Sequence, residues 1–236
     1  MKTAAEVISL MESMLNEEQQ ANLSRFFKTG KGQYGEGDKF LGIKVPQTRS
    51  IVKEAKTLPL SEVDILIHSP WHEIRLCGFL ILVEQYKRTK SLEIVDFYLR
   101  NARQANNWDL VDLSVYKILG EWLLDERVEQ KEKDVVMDKL SASDCLWEQR
   151  MSVVASMTPI KKGNFSYVWK YGELALTHKH DLMHKALGWM LRELGDADEN
   201  ELVRFLSLHC TEMPRTALRY AIEHLPEEER KRWMKK

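Results

Sequence analysis

No stretch of this 236-residue sequence stays apolar for the ~18 residues that a membrane-spanning helix needs. The first residues form no apolar run either, because Glu6 and Glu12 interrupt it, so neither a membrane anchor nor a secretory leader is expected. Cysteine is scarce: Cys77, Cys145 and Cys210 are odd in number, far apart and set in apolar runs. This argues against a disulfide framework or a cysteine zinc site. The thiols read as buried in a reducing compartment, and a cytoplasmic location is expected. An excess of one charge is lacking as well, since 35 Lys+Arg against 36 Asp+Glu leave a formal −1. Bulk basicity therefore announces no nucleic-acid partner, and any such face must come from segregation of charge. The 11 glycines and 6 prolines concentrate between periodic segments, and no two-residue alternation is sustained, so no sheet is expected.

What is present is the helical period. Ile74, Cys77, Gly78, Ile81 and Leu82 form one stripe at i, i+3, i+4, i+7 and i+8; Val111, Val115, Ile118, Leu119 and Trp122 form another; Leu187, Met190, Leu191 and Leu194 form a third. Fourteen helices are expected between residues 3 and 235, among them 72–87, 91–105, 108–124, 144–157 and 181–194. Ser61, Ser91, Ser143, Asp181 and Asp198 are the expected N-caps, Pro46 and Pro214 the first-turn prolines, and Gly195 a C-terminal glycine. Segment 72–87 is apolar on two sides, as an inner helix would be. Paired into hairpins of 30–45 residues, and with no low-complexity linker, these helices predict one all-α solenoid domain over 1–236.

Three motifs carry possible chemistry. "GKGQYG" (30–35) matches a dinucleotide-binding pattern, but a helical segment precedes it and a loop follows, so it reads as a flexible glycine-rich loop. Lys31, Lys39 and Lys44, with Arg49 beyond, could meet phosphate there or simply be solvated. The His178, His180 and His184 trio lacks a recognised metal spacing and reads as surface and capping histidines; no metal is expected. In "HKALGWMLRELG", Lys185, Trp189 and Arg192 share one face, either as a ring covered by cations or as a grip on a nucleic-acid backbone.

Two further residues complete a possible site. Arg150, in the apolar helix "LWEQRMSVV", is either paired with a carboxylate such as Asp112 or aimed at a ligand anion. In "NNWDLVDL" (106–113), Trp108 and Asp112 are i,i+4 neighbours, and Asp109 can serve the helix dipole or cap. Two tryptophans, one carboxylate and one arginine converging would make a cleft for a cationic ligand.

Together, "YGEGDKFLGIKVPQTR", "NNWDLVDL", "LWEQRMSVV" and "HKALGWMLRE", in this order and over about residues 26–219, resemble the DNA alkylation repair family, the AlkD-like DNA glycosylases. The resemblance implies a right-handed α-α superhelix of HEAT-like repeats, curved, with a concave basic cleft around duplex DNA. It implies excision of N3- and N7-alkylated purines by Asp112, Trp108, Trp189 and Arg150. DNA contacts would come from Lys44, Arg49, Arg150, Lys185 and Arg192. No cofactor is implied, and a monomer acting on double-stranded DNA, nucleoid-associated when bound, is expected. Asn107 stands where the family often has a second aromatic residue. Two alternatives stay open: a catalytically silent binder of distorted or branched DNA, and a helical-repeat scaffold for other proteins.

Overall fold

The computed structural model describes residues 1–235. Among them are fifteen α-helices and one short 3-10 turn, with no strand, so the all-helical expectation holds. The chain divides into two compact units, Met1–Ser114 and the residues from Val115 onward, with the division falling inside a helix.

The first unit holds α1 (Ala4–Ser13), α2 (Glu17–Phe26), α3 (Val45–Ala55), α4 (Leu60–Ile67), α5 (His72–Thr89), α6 (Leu92–Arg100), the 3-10 turn Ala102–Gln104 and the start of α7 (Trp108–Trp122). As the two-sided apolar pattern predicts, α5 is the inner helix: it packs against α3, α4 and α6 and buries 13 of its 18 residues. Each fully buried Leu, Ile or Phe there contributes roughly 1.5–3 kcal/mol. By contrast, α2 buries none of its residues. Polar ties hold it instead: Asn16 N–H donates to the Leu41 carbonyl at 2.9 Å, and Gln20 Nε2 to that of Phe40 at 2.8 Å. Gly42 makes this approach possible. Its φ is +85°, and a Cβ there would stand 2.3 Å from the Asn16 carbonyl oxygen, so no other residue fits.

The second unit holds the rest of α7, then α8 (Gln130–Ser141), α9 (Leu146–Val154), α10 (Met157–Lys161), α11 (Ser166–Ala175), α12 (Asp181–Ala197), α13 (Glu199–His209), α14 (Arg215–Ala221) and α15 (Glu227–Met234). Here α12 is the hub, packed against α9, α10, α11, α13 and α14. Its Leu187, Met190, Leu191 and Leu194 stripe is fully buried.

Several expected boundaries move, each for a local reason. The helix expected over 144–157 breaks into α9 and α10 at Ala155–Ser156, because Pro159 lacks an N–H and its ring opposes the carbonyl of Ala155 four residues earlier. Helix 91–105 stops at Arg100, where the Asn101 side chain donates back to the Phe97 carbonyl at 3.1 Å. Gly195 does not end its helix. It lies inside α12, where a side chain would collide with Leu202, and Asp198 caps the helix that follows by accepting from Asn200 and Glu201 N–H. Pro59, not Ser61, precedes α4, and the His180 ring, not Asp181, caps α12. Ser143 sits two residues before the N-cap Cys145 and accepts its N–H at 3.0 Å.

The tightest crossing in the second unit is α12 on α14. A Cβ at Gly188 would stand 2.5 Å from both the Ala217 carbonyl oxygen and the Tyr220 Cβ. Both obstacles belong to the helix frame and cannot rotate away, so Gly188→Ala is expected to cost about 1–3 kcal/mol of stability. Urea unfolding checks this; an unchanged midpoint would mean that the helices separate freely.

Candidate active-site cavity

The first unit contains an apolar cavity of ≈ 460 Å³ between α2, the 28–44 loop, α3 and the N-termini of α5 and α7. Its walls include Phe26, Phe27, Phe40, Leu76 and Trp108, with Lys44, Asp109 and Asp112 among the charged residues. Trp108 and Asp112, one turn apart on α7, thus face one cavity, as their spacing predicts. Both are half-buried.

The loop is held in place by α5. Glu73 is 2% exposed, and its carboxylate accepts three backbone N–H bonds, from Leu41 and Gly42 at 2.9 Å and from Ile43 at 3.1 Å. Such a buried charge is tolerable because donors surround it. Its neighbour His72 donates its N–H to the Lys39 carbonyl at 2.7 Å. The glycine-rich loop is therefore pinned along 39–43.

His72 is also the centre of a buried ionic group. Its Nδ1 donates to Asp38 Oδ2 at 2.8 Å and its Nε2 to Asp109 Oδ2 at 2.9 Å. The other Asp38 oxygen accepts from Arg75 Nη2 at 2.5 Å, and Arg75 Nη1 donates to the Ser69 carbonyl at 2.9 Å. The side chains of all four residues are nearly inaccessible. Burial pulls the imidazole pKa down, but the charge and hydrogen bond of Asp109, then those of Asp38, reverse this and raise it to about 9. Burial likewise opposes ionisation of Asp38, yet the bond and charge of His72, then Arg75, carry its carboxyl below the usual value. With two carboxylates and two cations, the group sums to zero charge.

Around this group the rings form a ladder. His72 lies 4.5 Å from Phe40 and 5.0 Å from Phe27, and Phe27 stacks on Trp108 at 5.3 Å with 28° between planes. Phe26 meets Trp108 edge-on at 5.9 Å and is 62% exposed. Phe26 thus extends the apolar wall of the cavity out to solvent.

The other sequence candidates are placed as follows. Lys44 is an exposed cavity-wall residue, and Arg49 is exposed on α3. In the second unit Arg150 is buried, its Nη1 donating to the Leu182 carbonyl in the first turn of α12. Lys185, Trp189 and Arg192 share one face of α12, as predicted. Each of them has an acidic partner: Lys185 pairs with Asp181 at 2.9 Å, Trp189 Nε1 donates to Glu193 at 3.1 Å, and Arg192 pairs with Glu223. A larger cleft of ≈ 700 Å³, lined by Arg192, Arg219, Arg230 and Lys231 together with Glu223 and Glu227, mixes both signs of charge. Among the described residues no group of His, Cys, Asp or Glu is arranged to hold a metal. His178 and His180 are local caps: the His178 ring accepts the His180 N–H at 3.0 Å, and the His180 ring accepts that of Leu182 at 3.1 Å.

Sequence reasoning missed His72, Asp38, Arg75 and Glu73, and gave Asp109 to the helix dipole or cap. The available signal was "WHEIR" (71–75), three ionisable residues opening a helix that is otherwise apolar on two sides. Asp109 does sit in the first turn of α7, but it serves His72, while its Oδ1 is buried without a partner.

The raised imidazole is a stability statement. His72 stands near 6.5 when unfolded and at about 9 when folded. Its stabilisation, on the order of 3 kcal/mol, is full below ~pH 6.5 and lost as pH rises through ~9. Urea midpoints of wild type and His72→Gln are therefore expected to converge across this window. A constant gap would mean that His72 is neutral at neutral pH.

Known proteins resemble this chain at two levels, fold and family. A solved structure described as "Predicted DNA alkylation repair enzyme from Enterococcus faecalis" superposes with a TM-score of 0.74 at 20% identity, covering 91% of this chain and 98% of its own, which establishes a shared fold. No curated protein sequence matches the chain. The model of the DNA alkylation repair enzyme family matches residues 7–225, nearly the full length. By that match the chain belongs to the DNA alkylation repair enzyme family.

Proposed function

We propose that the protein is a monofunctional alkylpurine-DNA glycosylase that hydrolyses the N-glycosidic bond of N3- or N7-alkylated purines in duplex DNA. Family membership supports a DNA repair role. The observation that carries the finer reading is that Trp108 and Asp112 line one apolar cavity. A carboxylate beside an aromatic face in an apolar pocket suits a cation.

The chemistry follows from the substrate's charge. Alkylation at N3 or N7 makes the purine cationic. When the C1′–N9 bond breaks, its electron pair passes to the base, which leaves neutral and needs no acid. Positive charge then builds on the deoxyribose. Asp112 stabilises it electrostatically and accepts a proton from the water that adds to C1′. Trp108 walls the nucleotide, and Trp189 is assigned the same role. Arg150 supplies a cation for phosphate, as do Lys44, Arg49, Lys185 and Arg192. Residues 1–236 would act as one DNA-binding domain, monomeric and cytoplasmic. Exposed ion pairs such as Lys185–Asp181 are worth little, so exchanging an acid for a phosphate costs little.

Single-turnover release of 7-methylguanine and 3-methyladenine from methylated duplex tests the reading. Asp112→Asn is expected to lower the rate constant by about 10²–10³ while keeping DNA affinity. Salt-sensitive binding with no release from wild type would favour the silent binder; absence of DNA affinity would favour the protein scaffold. Lys44→Ala is expected to lower the slope of log affinity against log salt by about 1, which titrations at several salt concentrations check.

A further inference from the structure

Helix α7 opens at Trp108 and carries Asp112 one turn later, with Asp109 in its first turn between them. Asp109 is buried and bound to His72, so the position of this turn depends on where that imidazole sits. The imidazole in turn is held at both nitrogens and packed by rings. Asp38 holds its other nitrogen, Arg75 holds Asp38, and Phe40 and Phe27, stacked on each other at 5.1 Å, both pack against the ring. Phe27 continues directly onto the Trp108 ring. His72 therefore reaches α7 by two routes, a hydrogen bond to Asp109 and a stack leading to Trp108.

From this geometry we infer that His72 is a positioning residue for base excision: clamped between Asp38 and Asp109, it fixes the first turn of α7 and so sets the Asp112 carboxylate and the Trp108 ring against the bound nucleotide. The inference rests on the glycosylase reading of the cavity. It adds a residue that acts through Asp109 and Phe27, 40 positions from Asp112 in sequence.

Both partners of the ring are carboxylates, which accept and do not donate. The clamp closes fully only while both ring nitrogens carry hydrogen. Loss of one proton turns a lone pair toward a carboxylate and opens one side. The charged groups around the ring are Asp38 from the loop, Asp109 from α7, Arg75 and Glu73 from its own helix, and Lys44 and Asp112 across the cavity. Glu73 is occupied by three backbone N–H groups.

An amide at position 109 changes the proton requirement. A carboxamide donates to a neutral imidazole as well as accepting from a charged one. The clamp of the Asp109→Asn variant therefore stays closed whichever state His72 adopts.

The test measures single-turnover release of 7-methylguanine between about pH 6 and 10 for wild type, His72→Gln and Asp109→Asn. Duplex affinity and amide hydrogen exchange are measured on the same proteins. His72→Gln is expected to lower the rate constant by about 10- to 100-fold, the scale of a misplaced catalytic group, with duplex affinity kept. It should also speed exchange at residues 111–114 while leaving α12 unchanged. Wild type should lose rate as pH rises through about 9, and Asp109→Asn, at whatever level its rate stands at neutral pH, should show no such fall. A wild-type rate in His72→Gln, or the same alkaline fall in Asp109→Asn, would overturn the inference. If wild type releases no base, the glycosylase reading fails, and exchange still decides the clamp: unchanged exchange at 111–114 in His72→Gln refutes it, faster exchange upholds it.

Discussion

A histidine with a carboxylate on each ring nitrogen is the constraint on which the first unit is built. Asp38, His72 and Asp109 come from a loop, the inner helix and the helix that carries Trp108, and Arg75 closes the charge balance. Replacing such a buried group with apolar side chains can leave a protein equally stable, so its presence needs a reason beyond stability. Removing one member leaves an uncompensated charge among nearly inaccessible side chains. The group therefore specifies a single arrangement of three chain segments. An apolar contact of the same size would tolerate sliding.

The second unit solves its packing by shape. Gly188 lets α14 approach α12 at backbone distance, and the four-residue leucine and methionine stripe fills what remains. The same helix presents Lys185, Trp189 and Arg192 on another face. One helix thus carries both the hub of the unit and its candidate contact residues, so the contact face inherits the rigidity of the core.

Much of this was legible in the sequence because it is local. The inner character of α5 follows from apolar residues on two sides, and the Trp108–Asp112 pair follows from i,i+4 spacing. The ionic group was not legible, because its members stand 34 and 37 residues apart and no period encodes such pairings. Asp109 shows the competition plainly: a first-turn aspartate fits the dipole rule, but a buried imidazolium partner takes it. Pro159 shows a different lapse: the expected helix 144–157 ends before it, yet its ring acts back on the carbonyl of Ala155 and breaks the helix there. Basic spacing on α12 was read correctly as a face, while the acidic partners of Lys185 and Arg192 became visible only once Asp181 and Glu223 were placed beside them.

The way the glycine-rich loop is tied has a consequence for how the chain can change. Gly35 N–H donates to the Lys28 carbonyl at 3.2 Å, closing the tip at its base, while Asp38 and residues 41–43 are fixed from α5. Residues between these anchors carry no part of the cavity wall. Lengthening a closed surface loop costs only ~0.6 kcal/mol per doubling. Insertions and deletions can therefore accumulate in the 30–33 tip without disturbing the cavity. In this part of the molecule, length is free to drift while position is not.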